Sequence, residues 1–466
     1  MQKTKIICTL GPASADKETV RKLVKNGMNV ARFNFSHDSH AQQLVKLNMF
    51  REVREEMDLP LATLLDTKGP EIRLCTFAEG KVQLTVGNDF TLTTREVDGD
   101  ETIVSVSYPN MPVDVSVGGR ILLDDGLIEL VVKEIKDGTD IVCEVMNSGK
   151  ISNRKGVNVP GVHLSIPYLS EKDTADIIFG AEQEFDFIAA SFVRTAQDVM
   201  DIRHILTQHG GHQVKIIAKI ENAEGVENLD KILQYADGIM VARGDLGVEI
   251  DLQEIPILQK MMIRKCHQRG KMVIIATQML ESMMHNPRPT RAETSDVANA
   301  IYDGTSAIML SGETAAGAYP VEAVTTMSTI AKRVESVIDY QKRFRNRREE
   351  KSPSITDAIS YATCSTAHDL GAAAVITVTD SGRTARMISK YRPAVPIIAC
   401  TSNPVTYRQL ALHWGVKPYM IDRCTNTDDL LEAATKTSQD NCDFLNDGDL
   451  VVLTAGVPVG MSGTTN

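Results

Sequence analysis

Residues 215–222 read KIIAKIEN and residues 238–249 read GIMVARGDLGVE, and each stretch begins as an apolar strand and ends abruptly in charge. In a parallel α/β barrel the strands end at the catalytic face, so charge there indicates chemistry. Glu221 and Asp245 are hard oxygen ligands, and Mg²⁺ usually binds one or two such carboxylates. Lys219 adds a compact positive charge. This set suits a reaction that builds negative charge on oxygen. The alternative is a buried ion pair that only joins two strands.

The composition is that of a globular protein with more than one domain. The chain has 466 residues, too many for a single core. Its net charge of −11 argues against nucleic acid or an anionic membrane as a partner, because phosphate groups require a basic surface. The eight cysteines form no C-x-x-C pair, so we expect reduced thiols in a cytoplasmic protein. We expect no membrane span, because no apolar run reaches about 18 residues, and we expect no signal peptide.

Short apolar runs alternate with stretches of helical spacing. The runs that we predict as strands are 5–10, 30–35, 62–67, 187–192, 215–220, 238–243, 272–277 and 307–312. Helical spacing separates most of them, for example over residues 16–26 and 252–269. Eight such units predict a (β/α)₈ barrel, although an open doubly wound sheet fits the same pattern.

Two further regions depart from this alternation. Turn signals without helical spacing predict a small all-β domain inserted after the third strand, where it would cover the catalytic face as a lid. The charged run 343–352, RFRNRREEKS, predicts a surface linker. A third α/β unit follows, with strands predicted at 374–380, 396–402, 417–421 and 450–456. The expected domains are the barrel over 1–69 and 167–345, the lid over 70–166 and a C-terminal α/β domain over 346–466.

Polar residues also follow the second and third strands. Arg32, Asn34 and Ser36 alternate onto one face, and Asp66 and Thr67 end the third strand. The last four of these residues could surround a monovalent cation with oxygen atoms. For either motif alone, ordinary hydrogen bonding within loops is the better explanation.

Hydroxyl groups mark three other turns. Thr277 ends the seventh strand, where it either orients a substrate or a water, or caps the next helix. Segment 379–384, TDSGRT, follows a strand and opens a helix, which suits an anion site, and segment 462–466, SGTTN, is similarly rich in hydroxyls. Turn and capping chemistry explains both segments equally well. The chain has no P-loop, G-x-G-x-x-G or H-R-D motif, so a nucleotide would need a composite surface of barrel and lid.

Eight blocks of the sequence, spread over essentially the whole chain, resemble the pyruvate kinase family: MNVARFNFSH, LLDTKGPEIR, KGVNVPG, AKIEN, MVARGDLGVE, IATQMLESM, NPRPTRAE and MLSGETAAG. The resemblance implies a (β/α)₈ barrel, an inserted small β-barrel domain and a C-terminal α/β domain. It also implies phosphoryl transfer from phosphoenolpyruvate to ADP, giving pyruvate and ATP, the final step of glycolysis. The implied cofactors are Mg²⁺ (or Mn²⁺) and K⁺. A cytoplasmic homotetramer with a sugar phosphate or AMP as effector is implied as well.

The same resemblance implies roles for individual residues. Lys219 would stabilise charge on the phosphoryl and enolate oxygens, Arg32 would clamp the phosphoryl group, and Thr277 would lie near the enolate carbon. Glu221 and Asp245 would hold the divalent ion, and Asp245 would also bind substrate together with the backbone of Gly244. The remaining positions are the potassium ligands Asn34, Ser36, Asp66 and Thr67, the nucleotide contacts Asn34, His37, Arg73 and Lys155, and the effector contacts Thr379, Ser381, Gly382, Arg383, Thr384, Ser462, Gly463 and Thr464.

Two positions depart from the family pattern. Asp38 stands where the family usually has glycine after F-S-H, and Ser306 stands where it usually has an aspartate that we expect to be structural. Two rival functions fit parts of this sequence. Metal-dependent aldolases and lyases also use barrels with a Glu/Asp pair, but they lack the inserted domain and the R-F-N-F-S-H motif. A catalytically inactive, regulatory relative would have lost ligands, yet this chain retains Arg32, Lys219, Glu221, Asp245 and Thr277.

Overall fold

The structure is a computed structural model that describes residues 2–346 and 354–456. Its first elements are β1 (Lys5–Thr9), α1 (Lys17–Lys25), β2 (Met28–Asn34), α2 (His40–Met57) and β3 (Ala62–Asp66). Both helices begin at a side-chain cap, since Asp16 accepts a hydrogen bond from Thr19 N–H and Ser39 accepts one from Gln42 N–H. These caps satisfy backbone donors that the first helical turn leaves open.

The chain then leaves the barrel and forms the lid. Its strands are β4 (Ile72–Arg73), β5 (Lys81–Leu84), β6 (Asp89–Thr93), β7 (Ile103–Ser105), β8 (Arg120–Leu123), β9 (Ile128–Lys136), β10 (Asp140–Val145), β11 (Gly149–Ser152) and β12 (Gly156–Asn158). Seven of them form a curled sheet in the order β4-β12-β8-β9-β10-β6-β7, and β5 pairs with β11. A short helix, α3 (Met111–Asp114), lies among them. The expectation of a purely β insertion was therefore wrong, because the insertion contains one helical turn. The lid has its own core, which includes Phe90, Ile121 and Leu130.

The chain returns to the barrel and adds five strands: β13 (Phe187–Ala190), β14 (Lys215–Ile220), β15 (Gly238–Ala242), β16 (Met272–Ala276) and β17 (Ala307–Leu310). The helices around them are α4 (Glu171–Glu182), α5 (Ala196–Gln208), α6 (Ala223–Glu227), α7 (Leu229–Tyr235), α8 (Arg243–Glu249), α9 (Ile255–Arg269), α10 (Arg291–Asp303), α11 (Gly312–Ala315) and α12 (Pro320–Glu335). Short 3₁₀ turns occupy Pro12–Ser14, Leu252–Glu254 and Glu281–Met284.

The sheet closes on itself in the order β1-β17-β16-β15-β14-β13-β3-β2, with every neighbouring pair parallel. The barrel prediction is therefore confirmed, and the open doubly wound sheet is excluded. All eight predicted strands are present within two residues of their expected bounds. The strands read as continuous apolar runs because both of their faces are buried. Ile7 and Ile217 belong to the inner core, whereas Ile6 and Ile216 pack outward among the helices.

The C-terminal domain is a third α/β unit. Its elements are α13 (Tyr340–Asn346), α14 (Ile355–Asp369), β18 (Ala374–Val378), α15 (Arg383–Lys390), β19 (Ile397–Thr401), α16 (Pro404–Gln409), a 3₁₀ turn (Leu410–Leu412), β20 (Val416–Met420), α17 (Thr427–Asn441) and β21 (Val451–Thr454). The sheet is parallel in the order β20-β19-β18-β21, and its four strands lie where strands were predicted. The linker prediction was wrong at its start, because residues 343–346 belong to α13, where Phe344 stacks on Tyr361. The rest of that segment lies outside the described residues.

Over the residues that the structure describes, no helix combines the length and the apolar character needed to cross a bilayer.

Candidate active site

Lys219 lies at the centre of a buried charged network at the carboxyl ends of the barrel strands. Its Nζ lies 3.0 Å from Asp66 Oδ1 and 3.0 Å from Glu221 Oε1, and it donates a hydrogen bond to Ser191 Oγ at 2.7 Å. These partners come from the ends of β3, β13 and β14, so barrel closure brings them together. Burial lowers the pKa of Lys219, but the attraction of Asp66 and Glu221 outweighs it and raises the pKa overall. The ammonium group is therefore a fixed positive charge.

Arg32 supplies the second cation of this network. Its Nε donates to Asp66 Oδ2 at 2.6 Å and its Nη1 donates to Thr9 Oγ1 at 2.9 Å. Burial raises the pKa of Asp66, but Arg32 and Lys219 outweigh burial and hold that pKa below its usual value. The two buried cations thus share the Asp66 carboxylate, and Glu221 is a further acidic neighbour of Lys219.

Glu221 keeps one oxygen atom without a hydrogen bond. Its Oε2 accepts from the backbone N–H of Phe192 at 2.6 Å, while its buried Oε1 accepts no hydrogen bond and lies 3.0 Å from the Lys219 ammonium. Burial raises the pKa of Glu221 to about 8, with Lys219 opposing this shift and Asp245 adding to it. A divalent ion beside these carboxylates would favour their ionised forms.

The donor set fits a hard divalent ion by its chemistry. No group of three or more acidic, histidine or cysteine side chains suited to a metal occurs in the described part of the chain. Glu221 and Asp245 are two carboxylates. Proteins usually bind Mg²⁺ through one or two carboxylates, and waters and substrate oxygens complete its coordination.

A strained turn after β16 holds Thr277 beside the start of α8. Thr277 and Gln278 have φ angles of 66° and 53°, which lie in the left-handed region. A β-branched residue such as Thr277 rarely adopts that conformation. Thr277 Oγ1 accepts a hydrogen bond from Gly244 N–H at 2.8 Å, and Arg243 Nη2 donates to the Thr277 carbonyl at 2.7 Å. Arg243 is itself held by Asp296. The next helical turn begins after Leu280, so the capping alternative for Thr277 was wrong.

The four residues expected to hold a monovalent cation are close neighbours. Asn34 and Asp66 face each other in the register of β2 and β3. Asn34 Oδ1 accepts from Ser36 N–H at 3.0 Å, and Thr67 Oγ1 accepts from Ser191 N–H at 3.1 Å. Because Asp66 already contacts Arg32 and Lys219, a cation here would share that carboxylate.

A cleft separates the lid from the barrel, and both Arg73 and Lys155 line it. Arg73 Nε donates to Glu71 Oε2 at 2.9 Å, and Lys155 Nζ lies 2.8 Å from Asp124 Oδ1. The predicted nucleotide contact His37 is exposed and lies outside the cleft lining. Asp245 also lines the cleft, and its negative charge helps to raise the pKa of Glu221 in the charged network.

The predicted effector turn lies at the start of α15, far along the chain from this site. Gly382 has a φ of 73° and precedes the first helical residue. Ser381 and Arg383 are exposed, whereas Thr379 and Thr384 are buried. The other predicted contacts, Ser462, Gly463 and Thr464, lie outside the described residues.

Sequence reasoning missed several members of the site. Ser191 Oγ accepts a hydrogen bond from the Lys219 ammonium, and Arg243 donates one to the carbonyl of Thr277. Ser191 follows β13 at the catalytic end, so its place after an apolar run was the available signal. Phe192, whose N–H binds Glu221, has a φ of 54°, which nothing in the sequence marks.

The two unusual positions have structural explanations. Asp38 has a φ of 66°, which explains why glycine suits this position, and its carboxylate pairs with Lys46 at 2.7 Å. Ser306 Oγ accepts hydrogen bonds from Val273 N–H at 3.2 Å and from Arg392 Nη2 at 3.1 Å. Ser306 therefore helps to join the barrel to the C-terminal domain.

Comparison with known proteins gives consistent results. A family model described as "Pyruvate kinase, barrel domain" matches residues 1–324, and one described as "Pyruvate kinase, alpha/beta domain" matches residues 357–466. The chain is 50% identical to a pyruvate kinase of Clostridium acetobutylicum, covering 100% of this chain and 98% of that protein. It is 52% identical to a pyruvate kinase of Geobacillus stearothermophilus, covering 100% and 79%.

A solved structure agrees with these sequence relatives. The crystal structure of a pyruvate kinase from Cryptosporidium parvum superposes with a TM-score of 0.94 at 41% identity, covering 99% of this chain and 95% of that one.

Proposed function

Because the chain belongs to the pyruvate kinase family, and is therefore a phosphotransferase, we propose that it transfers the phosphoryl group of phosphoenolpyruvate to ADP, giving pyruvate and ATP in the final step of glycolysis. The observation that supports this most strongly is the Lys219 ammonium held between Asp66 and Glu221 at the catalytic end of the barrel. Phosphoryl transfer depends mainly on positioning and on neutralising oxygen charge, and fixed buried cations supply both. The substrates are cytoplasmic metabolites, and we propose that the enzyme works there.

In this proposal Arg32 and Lys219 act on the phosphoryl and enolate oxygens. Asp66 holds both cations in place, so they need no reorganisation when charge develops. Glu221 and Asp245 would hold Mg²⁺ (or Mn²⁺), which when bound would neutralise oxygen atoms of both substrates.

Gly244 and Thr277 are proposed to act as one unit. The Gly244 N–H is engaged by Thr277 Oγ1 in this structure, so a substrate carboxylate would have to share or displace that bond. Thr277 also donates a hydrogen bond to the Ala276 carbonyl at 2.6 Å. This arrangement would place the Thr277 hydroxyl beside the enolate carbon that is protonated after transfer.

The remaining roles are those that the family resemblance implies. Arg73 and Lys155 line the lid cleft and would bind the nucleotide phosphates, with Asn34 and His37 as further contacts. K⁺ would sit among Asn34, Ser36, Asp66 and Thr67 and help to place the phosphoryl group.

A sugar phosphate or AMP would bind at the start of α15 and regulate a homotetramer, because phosphate groups favour helix N-termini. Thr384→Ala should then abolish any shift of half-saturation by such an effector, and an intact shift would place the effector elsewhere.

The proposed activity is tested by coupling pyruvate formation to the oxidation of NADH by lactate dehydrogenase. Purified protein with phosphoenolpyruvate, ADP, Mg²⁺ and K⁺ should produce pyruvate, and omission of ADP should stop it. Folded protein that forms no pyruvate even with sugar phosphates and AMP added would instead support the inactive, regulatory relative.

A further inference from the structure

The first turn of α4 contacts both loops that carry the proposed K⁺ ligands. Lys172 Nζ donates a hydrogen bond to the carbonyl of Phe35 at 2.7 Å, and this carbonyl belongs to the peptide bond that precedes Ser36. Asp173, the next residue of the helix, accepts a hydrogen bond at Oδ1 from the N–H of Gly69 at 2.9 Å. Two consecutive residues of one helix thus hold the loop after β2 and the loop after β3.

Lys172 is fixed by further contacts within and across its helix. Its Nζ also donates to Asp176 Oδ2 at 2.6 Å, and Asp176 is buried. The other oxygen of that carboxylate, Oδ1, lies 2.6 Å from His40 Nε2. The His40 ring stacks on Phe179 of α4, with the ring centroids 4.6 Å apart. Because His40 is the first residue of α2, these contacts close the whole loop between β2 and α2 against α4.

Asp173 uses both oxygens of its carboxylate as acceptors. Its Oδ1 binds the Gly69 N–H, while its Oδ2 accepts from the Ser170 N–H at 3.2 Å and from the Ser170 hydroxyl at 2.5 Å. Ser170 is the residue that caps α4, and Asp173 is buried beside it. The loop after β3 is therefore attached to the same helical turn that carries Lys172.

The two loops also bind each other and α2. Phe35 N–H donates to the Asp66 carbonyl at 2.9 Å. Gln43, a buried residue of α2, donates to the Asn34 carbonyl at 2.7 Å and to the His37 carbonyl at 3.2 Å. These bonds hold the backbone that carries the proposed ligands. The affinity of oxygen atoms for a cation depends on the size and rigidity of the site that they form.

We propose, on the basis of the K⁺ site proposed above, that Lys172 and Asp173 are positioning residues for the monovalent cation. They hold the two loops at the spacing at which the four proposed ligands bind K⁺ together. Both act through backbone groups of the loops. Loss of either residue therefore weakens binding of the cation more than it slows the chemical step.

The binding of K⁺ itself tests this role without relying on catalysis. Tm is followed while potassium chloride replaces tetramethylammonium chloride at constant ionic strength, and the rise in Tm gives the dissociation constant for K⁺. Lys172→Met should raise that constant at least about fivefold, as expected for the loss of one hydrogen bond. Asp173→Asn should raise it similarly, because an amide has a single acceptor oxygen and cannot serve both Gly69 and Ser170.

Lys22→Met is the matched control. Lys22 pairs with Glu18 four residues away on α1, as Lys172 pairs with Asp176 on α4, and its loss should leave the dissociation constant for K⁺ unchanged. The side chain of Lys172 is 44% exposed, so we expect Lys172→Met to fold, because exposed ion pairs contribute little to stability. At saturating K⁺, kcat of Lys172→Met should change less than the dissociation constant does.

The possible outcomes separate the role of α4 from the K⁺ site itself. If the parent protein binds K⁺ and the dissociation constant is unchanged in Lys172→Met or in Asp173→Asn, the positioning role is overturned and the K⁺ site stands. An equal shift in Lys22→Met also overturns the role, because the loss of any lysine would then suffice. A parent protein whose Tm is independent of K⁺ overturns the K⁺ site and the positioning role together.

Discussion

The backbone N–H of Gly244 donates a hydrogen bond to Thr277 Oγ1 at 2.8 Å, and this bond links the start of α8 to a left-handed residue after β16. The strain at Thr277 is maintained by Arg243, which binds the carbonyl of the same turn. Strained backbone that its surroundings hold so firmly is typical of functional sites.

Thr277→Ser should keep this hydroxyl and most of the activity, whereas Thr277→Ala should lower kcat by about fivefold or more, since one net hydrogen bond contributes about 1 kcal/mol. Steady-state pyruvate formation by both variants measures the difference. Equal rates for the serine and alanine variants would show that the hydroxyl has no catalytic part.

Lys219→Met should lower kcat by at least about 10²–10³, the cost of removing one preorganised charge donor. It should also lower stability by about 3–5 kcal/mol, because Asp66 and Glu221 then lose a buried partner. Rates are therefore compared at a temperature where circular dichroism shows the variant folded, with the exposed Lys133→Met as control. Reduced stability with a normal kcat would make Lys219 a purely structural ion-pair residue.

Potassium should be required for full activity. Asn34, Ser36, Asp66 and Thr67 are neighbours at the adjacent ends of β2 and β3. In tetramethylammonium buffer of equal ionic strength, kcat should fall by at least about tenfold, equivalent to about 1.4 kcal/mol of transition-state stabilisation. An unchanged kcat in that buffer would show that these oxygen atoms hold no functional cation.

His413 should make the fold sensitive to acid. Its folded pKa of about 3 lies below the ordinary value of 6.5, so the unfolded chain binds the proton more readily. The stability that neutral His413 provides is therefore complete above pH 6.5 and is lost as the pH falls toward 3. At pH 5 the loss is about 2 kcal/mol. His413→Gln should lose less Tm than the parent between pH 7.5 and 5.0 in phosphate-free buffer, and equal losses would contradict this assignment.

The barrel and its charged centre could be predicted because they are encoded locally. Lys219 and Glu221 end a buried strand within three residues of each other, and parallel strands must present their ends at one face. The closed barrel was harder to predict than the strands, because an open sheet has the same sequence period.

Other features depend on contacts that distant segments make only after folding. The bond between Ser306 and Arg392 joins the barrel to the C-terminal domain across 86 residues of sequence. Positive φ at Phe192 and Thr277 occurs in residues that normally avoid it. Neither feature has a local pattern, so the sequence could indicate candidate catalytic residues but not the contacts that hold them.

Phosphorus-31 NMR of the complete reaction tests the central claim most directly, because it follows the phosphoryl group itself. With phosphoenolpyruvate, ADP, Mg²⁺ and K⁺, the phosphoenolpyruvate resonance should decline while the γ-phosphate resonance of ATP grows by an equal amount, and Lys219→Met should slow both changes together. Growth of inorganic phosphate in place of ATP would show transfer to water, and an unchanged spectrum would show no transfer; either result would contradict the proposed function.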